Sequence, residues 1–163
     1  MAKAIKTNVL RHLDAAHIAY ETREYPVTEE HFDGKTVASL TGLDPAMVFK
    51  TLVLEDDKNG HLVCVIPVME DLDLKKVARV SGHKHVDMLP MKDLLPLTGY
   101  VRGGCSPIGM KKAFPTYLHE SALSLEHISV SAGVRGCQVI MARDDLIEAC
   151  QAKMGDLIRE SPA

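Results

Sequence analysis

Two apolar runs separated by a short polar segment constrain this chain more than any other feature. Met47–Glu55 (MVFKTLVLE) and Leu62–Val68 (LVCVIPV) are both apolar and rich in β-branched residues, and Asp56-Asp57-Lys58-Asn59-Gly60 joins them. Runs of that kind linked by a segment ending in Asn-Gly predict a β-hairpin. Strands that are apolar at every position, rather than at alternate ones, belong inside a sheet covered on both faces. One residue breaks the pattern. Lys50 is the only charged residue between Asp44 and Glu55. Burying a lysine unpaired costs on the order of several kcal/mol, so it must reach a cavity, an anion or water. The competing reading is a snorkelling or salt-bridged structural lysine.

Around this hairpin the remaining pattern alternates irregularly. Thr7–His17 has Val9, Leu10 and Leu13 on one stripe and predicts a short amphipathic helix. Ile18–Tyr25 reads as a strand closed by Pro26, 28–32 as a polar loop, and Lys35–Leu43 as a helix. Asp71 or Asp73 caps a helix over Leu74–Val80 that Gly82 ends, and Pro90 opens another over Met91–Leu97 that stops at Gly99. Thr116–Glu120, Ile128–Ser131 and Cys137–Ala142 are strand-like, and Arg143–Met154 reads as a closing helix with Leu146, Ile147 and Cys150 inward. The expectation is one α+β domain over 1–163 on a central mixed, mostly antiparallel and barrel-like sheet with surrounding helices.

Composition excludes several functions. A net charge of -3 argues against a protein that grips nucleic acid along many phosphates, which needs a basic face. The four cysteines form no C-x-x-C pair and read as free thiols of a reducing compartment, the cytoplasm. The N-terminal segment lacks the apolar core of a signal peptide, and no run approaches a membrane span. The eight histidines have no metal-ligand spacing, and Asp56-Asp57 and Asp144-Asp145 are accounted for by solvation at a turn and a helix start. No metal or cofactor is expected.

Two loops add to Lys50. Gly103-Gly104-Cys105-Ser106-Pro107-Ile108-Gly109 places three glycines and a proline in a tight path whose N–H groups could cradle an oxyanion, carboxylate or phosphate. It has neither Walker A nor dinucleotide-binding spacing, and an ordinary turn is the competing reading. Cys105 would need a base to act as nucleophile, and the sequence identifies none. Ser131-Ala132-Gly133-Val134-Arg135-Gly136 has the G-x-x-G core of a KH loop. That loop joins two helices, whereas this one joins strands, so a second wall of the Lys50 pocket is the better expectation.

Together, VFKTLVLEDD around Lys50, LDLKKVARVSG at 72–82, GYVRGGCSPIGMKK at 99–112 and SAGVRGCQV at 131–139 resemble the YbaK-like aminoacyl-tRNA deacylases. This family is related to the editing domain inserted in bacterial prolyl-tRNA synthetases. The motifs stand in the family's order from about Tyr20 to the last helix, and the chain is most similar to the shorter EbsC-like branch. The resemblance implies a pocket for the 3′-terminal aminoacyl-adenosine of tRNA. It also implies release of a misattached amino acid, typically Cys from tRNA(Pro), with Ala in sister groups, and a prolyl-tRNA synthetase partner. By position it implies a catalytic role for Lys50 and substrate-binding roles for Tyr20, Gly103, Gly104, Ser106, Pro107, Ser131, Gly133 and Gly136. Some members carry Asp where this chain has Gln138. In cysteine-specific members the substrate's own thiol is thought to attack, which would leave Cys105 out of the chemistry. The rival functions are a non-catalytic module that binds a nucleotide or aminoacyl-adenylate in the same pocket, and a thiol enzyme using Cys105.

Overall fold

The computed structural model describes residues 6–27 and 34–160. Its elements run α1 (Asn8–Ala15), β1 (Tyr20–Glu24), α2 (Gly34–Thr41), β2 (Phe49–Asp56), β3 (His61–Pro67), α3 (Leu74–Ser81), β4 (Val86–Met88), α4 (Met91–Thr98), β5 (Thr116–His119), β6 (His127–Ser131), β7 (Cys137–Ala142), α5 (Arg143–Cys150) and β8 (Lys153–Gly155). The expected hairpin is present: β2 and β3 pair antiparallel from Phe49↔Pro67 to Glu55↔His61. At its turn Asn59 takes a left-handed φ of 62°, and Asp56 Oδ1 accepts from the N–H groups of Lys58 and Gly60 at 2.8 Å each.

Both hairpin strands lie inside a five-stranded sheet ordered β4-β2-β3-β5-β8, and their two apolar faces feed two cores. Val53, Val63 and Val65 pack with Val9, Leu10 and Leu13 of α1 and Leu146 of α5. Leu54, Leu62, Cys64 and Ile66 pack with Val77 and Ala78 of α3 and with Leu157. Each such aliphatic side chain contributes about 1.5–3 kcal/mol on burial, which is why a strand apolar on both faces settles in the interior. A second sheet, ordered β1-β7-β6, is wholly antiparallel. The pairing is mostly antiparallel, as expected; among the described strands only β3–β5 and β5–β8 run parallel.

The sheets do not close into a barrel; they meet at an isolated parallel bridge, Val48↔Ser129. The expected ends of the third and fourth helices are present, while α1 is shorter than the expected Thr7–His17. Thr7 caps α1, Asp73 accepts from the N–H groups of Lys75 and Lys76, and α3 and α4 end at left-handed Gly82 and Gly99. The closing helix is shorter than the sequence suggests. It stops at Cys150 because Gln151 turns left-handed, and Lys153–Gly155 returns as β8 beside β5. The polar loop expected over 28–32 lies outside the described residues.

Candidate functional site

Burial along β2 falls at Lys50, Thr51 and Leu52, between the buried Phe49 and Val53. The sheet topology explains the gap. One edge of β2 is taken by β3, while the short β4 pairs only with Leu54–Asp56 and the bridge from Val48 reaches Ser129. Between those two anchor points the strand is open, and a cavity of about 660 Å³ occupies the opening. Lys50 lines it, with Ser131 and Gln138 forming one wall, Arg102, Gly103 and Cys105 a second, and Met88, Leu89, Met91 and Leu94 a third.

Lys50 makes no hydrogen bond or ion pair among the described residues. Desolvation pushes its ammonium below the usual lysine value, offset in part by the fields of Asp71 and Glu70. The charged side chains lining the cavity are Lys50 and Arg102, with no carboxylate among the described lining residues. The site therefore suits an anion or a carbonyl oxygen that gains negative charge.

The two expected loops meet. Arg135 Nε donates to the Arg102 carbonyl at 2.7 Å. Gly104 lies so close to the facing turn that a Cβ there would sit 3.1 Å from backbone atoms of Val134 and Arg135. Glycine at 104 is thus what lets the two loops touch. Ser131 Oγ accepts from the Gly133 N–H at 3.1 Å, which shapes the turn behind it.

Of the residues expected at the site, Lys50, Gly103 and Ser131 come together on the cavity wall. Gly104 and Gly133 do not line it: Gly104 abuts the Val134–Arg135 backbone and Gly133 lies against Val9 and Tyr100. Gly136 accepts from the Tyr25 N–H at 2.9 Å. Ser106 is fully buried with its Oγ toward the Ile108 N–H, and Pro107 lines a different cavity beside α1 and α5. Tyr20 lies outside the Lys50 cavity; its phenol donates to Asp14 at 2.8 Å and accepts from Lys6 at 2.9 Å. Sequence reasoning assigned no role to Arg102, Thr51 or Gln138, all of which line the cavity. Gln138 had a usable signal, a lone polar side chain in the run CQVIMA, the same logic that singled out Lys50.

Cys105 is 8% exposed, and burial pushes its thiol up to about 12, so it stays protonated at neutral pH and is a poor nucleophile. Asp56 and Asp57 are not simply solvated. His83 lies 2.9 Å from Asp57 and 3.5 Å from Asp56, and candidate ligand atoms of the three lie within 4.8 Å. This group sits at the far end of β2 from Lys50, where Asp56 accepts from the hairpin turn and Asp57 from the Lys84 N–H. Among the described residues no helix is long and apolar enough to cross a membrane.

The described residues thus form a mixed α/β unit in which Lys50, Gly103 and Ser131 line one cavity. Residues 28–149 match the aminoacyl-tRNA editing domain, and the chain belongs to that family. It is 44% identical over 152 residues, 93% of each chain, to a candidate Cys-tRNA(Pro)/Cys-tRNA(Cys) deacylase, EbsC, of Enterococcus faecalis. Solved structures share the fold. A candidate trans-editing enzyme for prolyl-tRNA synthetase superposes with a TM-score of 0.80 at 21% identity, covering 96% of this chain and 100% of that one. A hypothetical protein superposes at 0.84 and 20% identity, covering 94% and 100%.

Proposed function

We propose that this chain is a trans-editing aminoacyl-tRNA deacylase that removes a misattached amino acid, with Cys-tRNA(Pro) as first substrate and Ala-tRNA(Pro) as second. Family membership and the EbsC relative support the reaction class. The observation that carries the reading is the unpaired, desolvated Lys50 ammonium opposite the Gly103 and Ser131 loops. An aminoacyl ester is already activated, so the protein needs to position it and to stabilise the developing oxyanion, and it need not supply a nucleophile. Water or the substrate's own thiol attacks the carbonyl carbon. The bond to the ribose oxygen then breaks, and that oxygen leaves with a proton.

In this reading Lys50 faces the ester or terminal nucleotide, and backbone N–H groups of the glycine loop assist. With a net charge of -3 the chain sees only the end of the tRNA, and prolyl-tRNA synthetase in the cytoplasm supplies the wider grip. The test is a panel of Cys-, Ala- and Pro-charged tRNA(Pro), with and without prolyl-tRNA synthetase. Faster loss of Cys or Ala than in buffer is expected. Tight binding of charged tRNA with no faster loss of any amino acid would instead identify a non-catalytic binding module.

A further inference from the structure

Gln138 lies on β7 opposite Ser131, is 5% exposed, and lines the same cavity as Lys50. Its Oε1 stands 2.8 Å from Ser129 Oγ, and Ser129 is fully buried. That pairing settles which end of the amide faces the cavity. No other hydrogen-bond partner of the Ser129 hydroxyl exists among the described residues. If the amide were reversed, Ser129 would accept from the NH₂ group and its own proton would be stranded in the core, a cost of about 1–3 kcal/mol. Ser129 therefore donates to Oε1, and Nε2, with no partner among the described residues, is left for whatever enters the cavity.

The other polar groups of this deep wall have the same polarity. Lys50 carries only donors, and Ser131 Oγ already accepts from the Gly133 N–H, so its proton is free to be given away. No carboxylate lines the cavity among the described residues. Arg102 is exposed at its residue position while Gln138 and Ser131 are buried, so Gln138 and Ser131 belong to the inner wall of the cavity. A wall of donors fits an oxygen that only accepts and that gains negative charge during reaction.

We infer that Gln138 is a further substrate-contacting residue, its Nε2 donating to the aminoacyl-ester carbonyl oxygen, with Ser129 as the positioning residue that locks the amide; this rests on the deacylase reading above. Gln138→Met keeps the length and removes the donor, and lowers kcat on the order of 100-fold, with a smaller change in KM. Gln138→Glu is impaired similarly at neutral pH, where a carboxylate only accepts. Its deficit shrinks as the pH falls and the neutral carboxylic acid can donate again. Ser129→Ala leaves the amide free to turn over and costs about two- to tenfold in kcat, which gives a milder readout should a Gln138 variant fail to fold.

The experiment measures single-turnover rates of all three variants and the wild type on Cys-tRNA(Pro) across neutral to acidic pH, with thermal melts to confirm folding. Loss of kcat in Gln138→Met together with acid rescue of Gln138→Glu supports the assignment. A folded Gln138→Met with wild-type kcat overturns it, as does a Gln138→Glu deficit that is constant with pH, and both leave the deacylase reading standing. A wild type that strips no charged tRNA overturns both.

Discussion

Two lysine-bearing polar clusters are finished differently. Behind β5, Lys76 pairs with Asp156 at 2.8 Å, Asp156 accepts from the Ile158 N–H, and the buried His119 accepts the Leu157 N–H on Nδ1 at 3.1 Å. Each of those groups is matched, and together they fasten the C-terminal segment to the five-stranded sheet. In the Lys50 cavity, by contrast, the lysine ammonium and the Nε2 end of the Gln138 amide have no hydrogen-bond partner among the described residues. Buried polar groups are ordinarily paired because leaving one unmatched is costly. The second cluster thus tolerates a cost that the first avoids, as expected of a surface completed by its ligand.

That contrast is open to direct attack, beginning with the largest effect. Lys50→Met should lower deacylation on the order of 100-fold or more while raising the thermal midpoint. The sign follows from desolvation: the folded state binds the Lys50 proton less tightly than the unfolded chain does. The penalty of the charge is complete at neutral pH and fades as pH rises through the lowered Lys50 value, so the stability gain of the variant should shrink in alkali. Melts across pH measure this, and equal or lower stability at neutral pH would remove Lys50 from the class of ligand-completed groups.

Gly104→Ala should part the two loops, since its Cβ would press on the Val134 and Arg135 backbone at 3.1 Å. A loss of about 1–3 kcal/mol in stability and a clear fall in deacylation are expected, read by denaturant melts and single-turnover rates.

His119→Leu should act in the opposite sense from Lys50→Met, because it strands the buried Leu157 N–H at about 1–3 kcal/mol yet leaves the rate per folded molecule unchanged. Burial lowers the His119 value below the usual 6.5. Its contribution to stability is present above 6.5 and is lost as pH falls from there toward the lowered value, so the variant should show a flatter acid limb.

The smallest effect is expected of Cys105→Ala. With its thiol pushed up to about 12, it should keep most of its activity, whereas a thiol enzyme would lose all of it.

Much of this fold is legible in residue patterns. The hairpin over 47–68 has both an apolar run on each side and Asn59-Gly60 between them, and the helix ends at Asp73, Gly82 and Gly99 fall where the sequence marks them. What escapes is short or non-local. β4 and β8 are three-residue strands whose pairing depends on distant partners, and no periodic pattern can be read from three residues. The separation into two sheets rather than a closed barrel likewise depends on which strands fail to meet.

At the site, Lys50 stands out because a charge inside an apolar run needs a cavity, an anion or water to receive it. Gly103 and Ser131 follow from loop chemistry. Gln138 matters because of the hydroxyl of Ser129 behind it, a cross-strand relation that its own neighbours in sequence do not reveal.

The central claim, that an unpaired Lys50 drives ester release at this cavity, is tested most directly by the rate at which Cys-tRNA(Pro) loses its amino acid with wild-type protein and with Lys50→Ala, side by side and both shown to be folded. Wild-type protein should clear the charged tRNA well above the buffer rate while Lys50→Ala falls back to it. A folded Lys50→Ala that works at the wild-type rate would contradict the account.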